Sequence, residues 1–355
     1  MSGKRVIVGM SGGVDSAVTA YLLKAAGYDV IGVTLKTWIG GNGTESRCCE
    51  ISDAQAVCGH LDIPYYVQNC MTVFRAEVIR PFVQEYLRGR TPNPCIRCNR
   101  AVKWGKLLEA ADGMHADFIA TGHYASVARM PDGRYTVQKG LHSQKDQSYM
   151  LCRLKQEQLM RTVMPLGTLS KAEVREIAEA AGIPVAEKAD SQEICFVPDG
   201  NYADFIEENA QPPYPQDGCF SDETGALLGR HHGIYRYTVG QRRGLGVAAG
   251  KPLYVTRIDA ESNQIILGDA DALLSYEILC DDLCCMGIPE LPPGEPFRAD
   301  VKIRYHHPAQ PASCEMQKDG RLRIRFQKPV RAAAPGQSAV AYDSAGRILC
   351  SGIIR

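Results

Sequence analysis

The sequence predicts an α/β fold that begins with an open parallel sheet and continues with a small central domain and an antiparallel β-barrel. Three observations predict this fold class. Short apolar strands alternate with helical segments through the first part, prolines crowd residues 211–215, and strand-like segments separated by turn dipeptides fill the last part. We therefore expect three domains, at residues 1–210, 211–270 and 271–355.

The first part has a βαβαβ rhythm, which is typical of a parallel sheet. Prolines at positions 92 and 94 disfavour a helix, so residues 91–94 and the cysteines after them are predicted as a loop. Ser170 and Glu173 have the spacing of a capping box. The predicted strands are 6–8, 30–35, 65–67 and 117–120, and the predicted helices are 14–26, 53–61, 73–87, 102–111 and 172–181.

The last part is predicted to form short antiparallel strands. Residues 240–246 combine glycines with two arginines, which predicts a basic loop between small strands. Residues 321–326 alternate strictly between arginine and apolar residues, so the three arginines share one face of a strand. This pattern predicts a small antiparallel barrel with a cationic surface, the alternative being a plain solvated sheet face.

The composition is that of a globular protein. Its 355 residues, 45% of them hydrophobic, allow two or three cores. No signal peptide precedes the first strand and no apolar run reaches the length of a membrane span, so we expect a cytoplasmic protein with no membrane partner. Fourteen cysteines in such a chain predict mostly buried thiols rather than disulfides.

The charges balance overall but not locally. The formal net charge of zero argues against a general nucleic-acid binder. However, residues 86–108 and 224–258 contain no acidic residue, and residues 298–355 are rich in lysine and arginine. These three basic zones favour a face that meets a large polyanion, although each zone alone could be solvated surface charge.

Residues 9–16, Gly-Met-Ser-Gly-Gly-Val-Asp-Ser, are predicted to form a phosphate-binding turn between the first strand and the first helix. Glycines allow a sharp turn, and the amides that open the helix favour an anion. The turn lacks the Gly-Lys-Ser/Thr ending of a Walker loop, which indicates a different kind of nucleotide site. Gly122 follows another parallel strand, so its loop and this turn can share one crevice.

Two segments contain cysteines that could carry chemistry. Cys95 and Cys98 form a Cys-x-x-Cys pair inside an acid-free basic zone, where neighbouring cations favour the reactive thiolate. The alternative is half of a zinc site completed by Cys284 and Cys285. Cys195, taken by itself, reads as a buried thiol.

Motifs spread along the whole chain resemble those of the bacterial tRNA-specific 2-thiouridylases, a family of PP-loop ATP pyrophosphatases. Any one motif could arise by chance, whereas the ordered set covers nearly the entire sequence. The matching segments are residues 11–16, 89–94 with 98–99, 120–124, 145–149, 190–191 with 194–196, 240–242 with 244–246, and 335–340.

The resemblance implies an adenine nucleotide alpha-hydrolase-like PP-loop domain, a central domain and a C-terminal β-barrel that together hold a tRNA anticodon arm. The implied reaction is ATP-dependent 2-thiolation of the wobble uridine, U34, with Asp15 acting through Mg2+ on the pyrophosphate. The implied ATP-binding residues are Gly9, Met10, Ser11, Gly12, Gly13, Val14, Asp15, Ser16, Leu35 and Gly122; Asn93, Pro94 and Cys95 meet the target base; His123, Lys145, Asp146, Gln147, Arg304, Tyr305 and Gln337 meet tRNA.

The resemblance also assigns roles to two cysteines. Cys98 is the nucleophile, and Cys195 carries sulfur as a persulfide and forms a disulfide with Cys98 during turnover. The sulfur comes from a relay protein or from sulfide. These roles suit the reaction, because ATP turns the poor leaving group at C2 into an adenylate ester and a persulfide is a strong nucleophile.

Alternatives remain open at this stage. Many family members have Asp at the position of Cys95, so Cys95, Cys98 and Cys195 could together ligate a [4Fe-4S] cluster that binds an external sulfur. A small-molecule PP-loop ligase and a non-catalytic tRNA-binding protein are the rivals from other classes. His123 could be a structural histidine, although its place beside Gly122 favours function, and Gln337 could belong only to a turn.

Overall fold

The computed structural model describes residues 3–40, 50–188, 194–197, 200–214 and 216–355. The predicted fold class is confirmed, because the described residues form a parallel sheet, a small mixed sheet and a closed antiparallel barrel. The strands are β1 (Arg5–Gly9), β2 (Asp29–Lys36), β3 (Tyr65–Asn69), β4 (Phe118–Ala120), β5 (Ala125–Arg129), β6 (Tyr135–Lys139), β7 (Thr162–Val163), β8 (Gly218–Ser221), β9 (Leu227–His231), β10 (Tyr254–Asp259), β11 (Gln264–Gly268), β12 (Leu274–Cys285), β13 (Pro296–Lys302), β14 (Gln310–Met316), β15 (Leu322–Arg331), β16 (Ser338–Tyr342) and β17 (Ile348–Ile354).

Helices cover both faces of the parallel sheet, and π-helical turns join some of them into longer helices. Residues 75–79 connect α3 to α4, and residues 98–104 connect α5 to α6. The predicted capping box of Ser170 and Glu173 is present at the start of α8. The helices are α1 (Val14–Ala25), α2 (Ile51–His60), α3 (Met71–Phe74), α4 (Arg80–Leu87), α5 (Pro94–Arg97), α6 (Gly105–Gly113), α7 (Gln156–Met160), α8 (Lys171–Ala180) and α9 (Tyr202–Asn209).

The parallel sheet has the strand order β3-β2-β1-β4-β7, with β1 near its centre. Alternating residues of β1 pack into two apolar cores. Val6 and Val8 pack with Ala17 of α1 on one face, whereas Ile7 packs with Trp104 on the other. Because both faces are buried, the carboxyl ends of the strands are left as the place where polar loops can meet.

The loop prediction for residues 91–98 is wrong. Only residues 91–93 stay outside a helix, and one continuous helix runs from Pro94 to Gly113 through the π-helical turn. Proline is well tolerated at the first position of a helix, because the N–H that it lacks has no intrahelical partner there. The side chain of Asn93 completes the start by accepting the N–H of Cys95 at 3.1 Å.

The central sheet has the order β10-β11-β8-β9 and contains one parallel pair, β8 with β11. The barrel is closed in the order β12-β15-β14-β13-β16-β17, and all of its strand pairs are antiparallel. As predicted, Leu322, Ile324 and Phe326 of β15 lie in the barrel core. Among the described residues, no helix is long and apolar enough to cross a membrane.

The three arginines predicted to form a cationic face of the barrel have acidic partners. Glu277, on the neighbouring strand β12, lies 2.8 Å from Arg325 and 3.7 Å from Arg323. Arg321 pairs with Asp319 in the turn before β15. These acids offset part of the positive charge of the face, which the alternation pattern alone could not reveal.

Candidate active site

The phosphate loop, residues 9–16, forms a tight turn held by its own side chains. The Ser16 hydroxyl donates to the Gly13 carbonyl at 2.9 Å and accepts the Ser11 N–H at 3.2 Å. Gly12 has φ of +81°, and a Cβ there would lie 2.6 Å from the carbonyl oxygen of Glu50. Only glycine fits this turn, so the cradle for an anion is already formed.

The Gly122 loop meets the phosphate loop, as the parallel sheet predicted. A Cβ on Gly122 would lie 2.7 Å from the carbonyl carbon of Asp15 and 2.9 Å from the nitrogen of Ser16. Met10 and Leu35 are buried beside the same strand ends, and the N–H of Met10 donates to the Val33 carbonyl. The predicted ATP-binding residues therefore lie together at the carboxyl ends of β1, β2 and β4.

Asp15 accepts two hydrogen bonds that the sequence did not predict. Lys171, at the start of α8, donates to its Oδ1 at 2.7 Å, and the hydroxyl of Tyr124 donates to the same oxygen at 2.7 Å. The Asp15 side chain is about one third exposed. The capping box at Ser170 was the one available signal, because it places Lys171 at the first position of a helix.

Lys188 forms a second cationic contact with the phosphate loop, at Gly12. Its ammonium donates to the Gly12 carbonyl at 3.4 Å and to the carboxylates of Glu50 and Asp53. Burial lowers the pKa of Lys188, but hydrogen bonds to Asp53 and Glu50 outweigh this effect and raise it. Lys188 is therefore a cation at physiological pH.

Cys98 lies in the long helix that the cap at Asn93 begins. Cys95 is exposed in the first turn, whereas Cys98 is buried in the π-helical turn. Asn99 donates to the Met150 carbonyl at 2.9 Å, and its buried Oδ1 has no hydrogen-bond partner among the described residues. The helix thus presents one thiol to solvent and keeps the other inside.

Cys195 packs on the apolar cluster that contains Cys98. It is partly buried, and its neighbour Phe196 makes edge contacts with Phe74 and Phe82, at ring-centroid distances of 5.6 and 5.3 Å. No disulfide joins Cys98 and Cys195 in this structure. The motif residues Asp190 and Ser191 lie outside the described residues.

The predicted metal ligands are not arranged as a metal site. Among the described residues, which include all three predicted cluster ligands, no group of three or more His, Cys, Asp or Glu side chains is arranged to hold a metal ion. The zinc alternative fails for the same reason, since Cys284 and Cys285 lie on barrel strand β12. A [4Fe-4S] cluster does not fit Cys95, Cys98 and Cys195 as they stand.

His123 lies between the phosphate loop and the helix that carries Cys98. One of its ring nitrogens lies 2.8 Å from the hydroxyl of Thr121, and its ring lies 5.4 Å from the ring of Trp104. Burial and then the charge of Lys103 hold the pKa of His123 well below its ordinary value of 6.5. The imidazole is therefore neutral at physiological pH.

The predicted tRNA residues at 145–147 differ in what their side chains already do. Asp146 is buried, and it accepts the N–H groups of Gly140 and Ser148 at 3.1 and 3.0 Å. Gln147 accepts the N–H of Tyr124 at 3.1 Å. Lys145 is half-buried. Asp146 and Gln147 thus shape the loop that carries Lys145.

Arg304 and Tyr305 come from the barrel and reach the same region. Burial lowers the pKa of Arg304, whose buried Nε has no hydrogen-bond partner among the described residues. Burial, Asp146 and then Cys95 raise the pKa of Tyr305. Lys302, which sequence reasoning missed, lies 5.6 Å from the centre of the Tyr305 ring. A cationic and aromatic surface therefore lies beside the exposed cysteine.

Gln337 ties the barrel to the start of the cysteine helix. Its side-chain amide donates to the Thr91 carbonyl at 2.8 Å, and the Thr91 N–H donates to the Pro335 carbonyl at 2.7 Å. Gly336, with φ of +93°, leaves no space for a Cβ, which would lie 2.9 Å from the Thr91 nitrogen. The Pro-Gly-Gln turn is thus a docking element.

Several arginines of the acid-free zones are paired with acids from outside those zones. These contacts reduce the charge that the basic zones offer to a polyanion, which sequence counting could not show. The pairs are Arg88 and Arg90 with Glu85, Arg97 with Glu77, and Arg236 with Asp204 and Glu207.

Three protein families match consecutive parts of the chain. The family described as "tRNA methyl transferase HUP domain" matches residues 4–199, "tRNA methyl transferase PRC-barrel domain" matches residues 203–269, and "Aminomethyltransferase beta-barrel domain" matches residues 284–354. Among solved structures, the U34-tRNA thiolase NcsA from Methanococcus maripaludis with its [4Fe-4S] cluster covers 58% of this chain and 66% of its own, with 21% identity and a TM-score of 0.36. That likeness is too remote to bear on the chemistry.

Curated relatives match almost the full length. The tRNA-specific 2-thiouridylase MnmA of Lachnoclostridium phytofermentans is 48% identical over 351 residues, covering 96% of each chain. The protein of the same name from Acetivibrio thermocellus is also 48% identical over 351 residues, covering 97% of each chain. MnmA 1 of Clostridium botulinum is 45% identical over 345 residues, covering 96% of each chain. The chain therefore belongs to the tRNA-specific 2-thiouridylase family.

Proposed function

We propose that the chain is an ATP-dependent tRNA-uridine 2-sulfurtransferase that converts the wobble uridine of tRNA to 2-thiouridine, with AMP and pyrophosphate as the other products. The observation that carries this proposal is a continuous set of contacts between an anion cradle and a cysteine helix. Gly122 abuts the phosphate loop, His123 follows it, and the ring of His123 lies against Trp104 of the Cys98 helix. A nucleotide and a thiol can therefore act on one substrate atom.

The phosphate loop binds the triphosphate of ATP. Its glycine turn and the amides at the start of α1 face an anion with the positive end of the helix dipole. Lys171 and Lys188 place cations at two points of the loop, Asp15 and Gly12. Asp15 is the carboxylate suited to Mg2+, which when bound to ATP neutralises charge on the leaving pyrophosphate.

Sulfur transfer uses the two cysteines that share one apolar cluster. Cys195 is partly exposed, which suits loading with sulfane sulfur from a persulfide-carrying relay protein. The Cys98 thiolate attacks the Cys195 sulfur atom, which releases hydrosulfide and leaves a Cys98–Cys195 disulfide. Hydrosulfide adds at C2 of the adenylated uridine, and AMP departs with the former 2-oxygen. A thiol reductant restores both cysteines.

When sulfide is the donor, the hydrosulfide is supplied directly. The loading of Cys195 and the attack by Cys98 are then not needed. The adenylate chemistry is unchanged, because the leaving group is the same. The relay is therefore needed only with a protein donor or a cysteine-derived persulfide. This difference separates the roles of the cysteines from the role of the ATP site.

The target uridine approaches the capped start of the cysteine helix. Asn93, Pro94 and the exposed Cys95 form this start and meet the base. Lys145, Arg304 and Tyr305, with His123, meet the surrounding RNA. Asp146, Gln147 and Gln337 contribute by shaping the surface, since hydrogen bonds within the protein already engage their side chains.

The test is 2-thiouridine formation on a tRNA that carries the wobble uridine, with ATP and a persulfide donor. We expect Cys98→Ser and Cys195→Ser to abolish product, because each removes one sulfur of the relay. Cys95→Ser, in the same helix, removes a thiol that meets the base but takes no part in the relay, so it should lower activity less than either relay variant. Iron content is measured in every preparation purified without oxygen.

Each alternative function predicts a different outcome of this test. Loss of both iron and activity in Cys95→Ser would establish a cluster mechanism and contradict the relay. Full 2-thiouridine formation by Cys98→Ser would contradict the relay, whereas a small-molecule ligase would form no 2-thiouridine with any variant. Pyrophosphate release that does not require tRNA would argue for a small-molecule substrate, and no pyrophosphate release at all would indicate a binding protein.

A further inference from the structure

Lys188 makes contacts that its position in the sequence does not suggest. Its ammonium bonds at once to the Gly12 carbonyl in the phosphate loop and to the carboxylates of Glu50 and Asp53. Asp53 lies in the first turn of α2, and Glu50 directly precedes that helix. Three separate parts of the chain therefore meet at one cation beside the phosphate loop.

The bond to Gly12 determines which way the next amide points. The Gly12 carbonyl and the Gly13 N–H belong to one planar peptide, and in a trans peptide they point to opposite sides. Since Lys188 holds the carbonyl on the α2 side, the Gly13 N–H points to the other side, where the Ser11 hydroxyl lies at 3.4 Å. The Gly13 N–H donates to this hydroxyl of the phosphate loop, and we place the phosphates on the same side.

Removal of the cation would favour a rotated peptide. The Gly12 carbonyl would then share its surroundings with two uncompensated carboxylates, and like partial charges repel. Two successive glycines offer little steric resistance to a change of φ and ψ. The rotated peptide would turn a carbonyl oxygen, instead of an N–H, toward the phosphates.

The same cation also neutralises the surroundings of the loop. Glu50 and Asp53 lie close enough to Gly12 that a Cβ on Gly12 would be 2.8 Å from the Cβ of Glu50 and 3.3 Å from that of Asp53. Two bare carboxylates beside the phosphate loop would weaken the binding of a triphosphate there. Lys188 offsets them before ATP arrives.

We propose that Lys188 is a positioning residue for ATP: it orients the Gly12–Gly13 peptide so that its N–H faces the phosphates, and it neutralises Glu50 and Asp53. The inference rests on the proposed function only in taking ATP as the ligand of the loop. It assigns no contact between Lys188 and the tRNA or the cysteines. Lys188 therefore affects nucleotide binding and leaves RNA binding unchanged.

The chain contains a matched control at the other end of α2. Lys24 donates its ammonium to the carbonyl oxygens of Leu61 and Asp62, so it also joins two parts of the chain through a lysine. Its partners lie at the end of α2 that is distant in sequence from the phosphate loop. Lys24→Met therefore removes a lysine contact at the other end of α2 and leaves the contacts of the phosphate loop unchanged.

The experiment measures equilibrium binding of magnesium-ATP and of tRNA to the full chain, and the KM for ATP and kcat of thiolation. We expect Lys188→Met to weaken ATP binding and raise the KM about tenfold, with kcat and tRNA affinity changed by less than about twofold. Lys188→Arg keeps the charge and a donor and should recover most of the loss. Lys24→Met should bind ATP like the wild type.

Equal ATP affinity of Lys188→Met and Lys24→Met would overturn the inference, as would an equal loss in Lys188→Arg and Lys188→Met. If Lys188→Met does not fold, Lys188→Gln tests the neutralising role alone, because it keeps a donor for the Gly12 carbonyl and removes the charge; ATP affinity equal to that of the wild type would then overturn that role. A wild-type chain that binds ATP but does not thiolate tRNA would refute the proposed function and leave this test intact.

Discussion

At the residue scale, the groups that sequence motifs could identify are those carried by contiguous segments. The phosphate loop and the Cys95–Cys98 pair were predicted from local spacing. The partners of the loop were not, because Tyr124 contacts Asp15 across 109 positions, and Lys171 does so across 156. Lys188 reaches Gly12 across 176 positions. Contacts of such separation depend on the strand order and leave no local pattern.

His123 provides a prediction about pH. Its native pKa lies below the unfolded value of 6.5, so the unfolded chain binds a proton that the folded chain refuses. Between about pH 7 and pH 5, the free energy of unfolding should therefore fall as the pH falls, by up to about 1.4 kcal/mol per unit of pKa difference. His123→Gln should show a shallower fall in denaturant titrations at several pH values.

The control for that titration is His60→Gln, which changes an exposed histidine on α2. The slope measured for His123→Gln is compared with that of this variant, which keeps His123. A pH dependence of His123→Gln as steep as that of the wild type would show that other groups cause it.

At the element scale, the rule that prolines end helices misled the prediction at residues 91–98. The rule concerns helix interiors, and Pro94 occupies the first position, where its fixed φ favours a helix. Helical periodicity predicted the later part of the same helix. The π-helical turn at residues 98–104 could not be anticipated, since it reflects packing of Trp104 and Val102 in the core.

The cap at Asn93 supports a stability prediction. Asn93→Ala removes the acceptor of the Cys95 N–H, so the free energy of unfolding should fall by about 1 kcal/mol. Asn93→Asp keeps an oxygen acceptor and a favourable charge at the helix start, and should be close to the wild type. Denaturant unfolding of both variants checks this expectation, and equal losses would show that the cap contributes nothing.

At the scale of the whole molecule, strand alternation predicted a barrel but not where it docks. The order β12-β15-β14-β13-β16-β17 brings β16 and its preceding turn to Thr91, next to the cysteine helix. The central sheet includes a parallel pair that short strands in sequence could not indicate. The domain limits at residues 210 and 270 stay a prediction.

Gly336 provides a test of that docking. Gly336→Ala would force a methyl group against the Thr91 backbone, so we expect thiolation to fall while ATP binding stays unchanged. Hydrogen exchange of the backbone at residues 91–99 should become faster, because the barrel no longer holds the segment.

Gly320→Ala is the matched control for this substitution. Gly320 also has positive φ, +81°, but no atom lies within 4 Å of its Cβ position. It therefore reproduces the backbone strain without the collision. Equal exchange rates at residues 91–99 in the two variants would contradict a role for the docked turn.

The narrow clearance at Gly122 has a consequence for any movement of the phosphate loop. Because less than a methyl group separates this residue from the backbone of Asp15 and Ser16, the phosphate loop cannot shift without displacing it. His123 would carry the displacement to Trp104 and so to the helix of Cys98. A movement of the phosphate loop on nucleotide binding would therefore reach the helix of Cys98 through this chain of contacts.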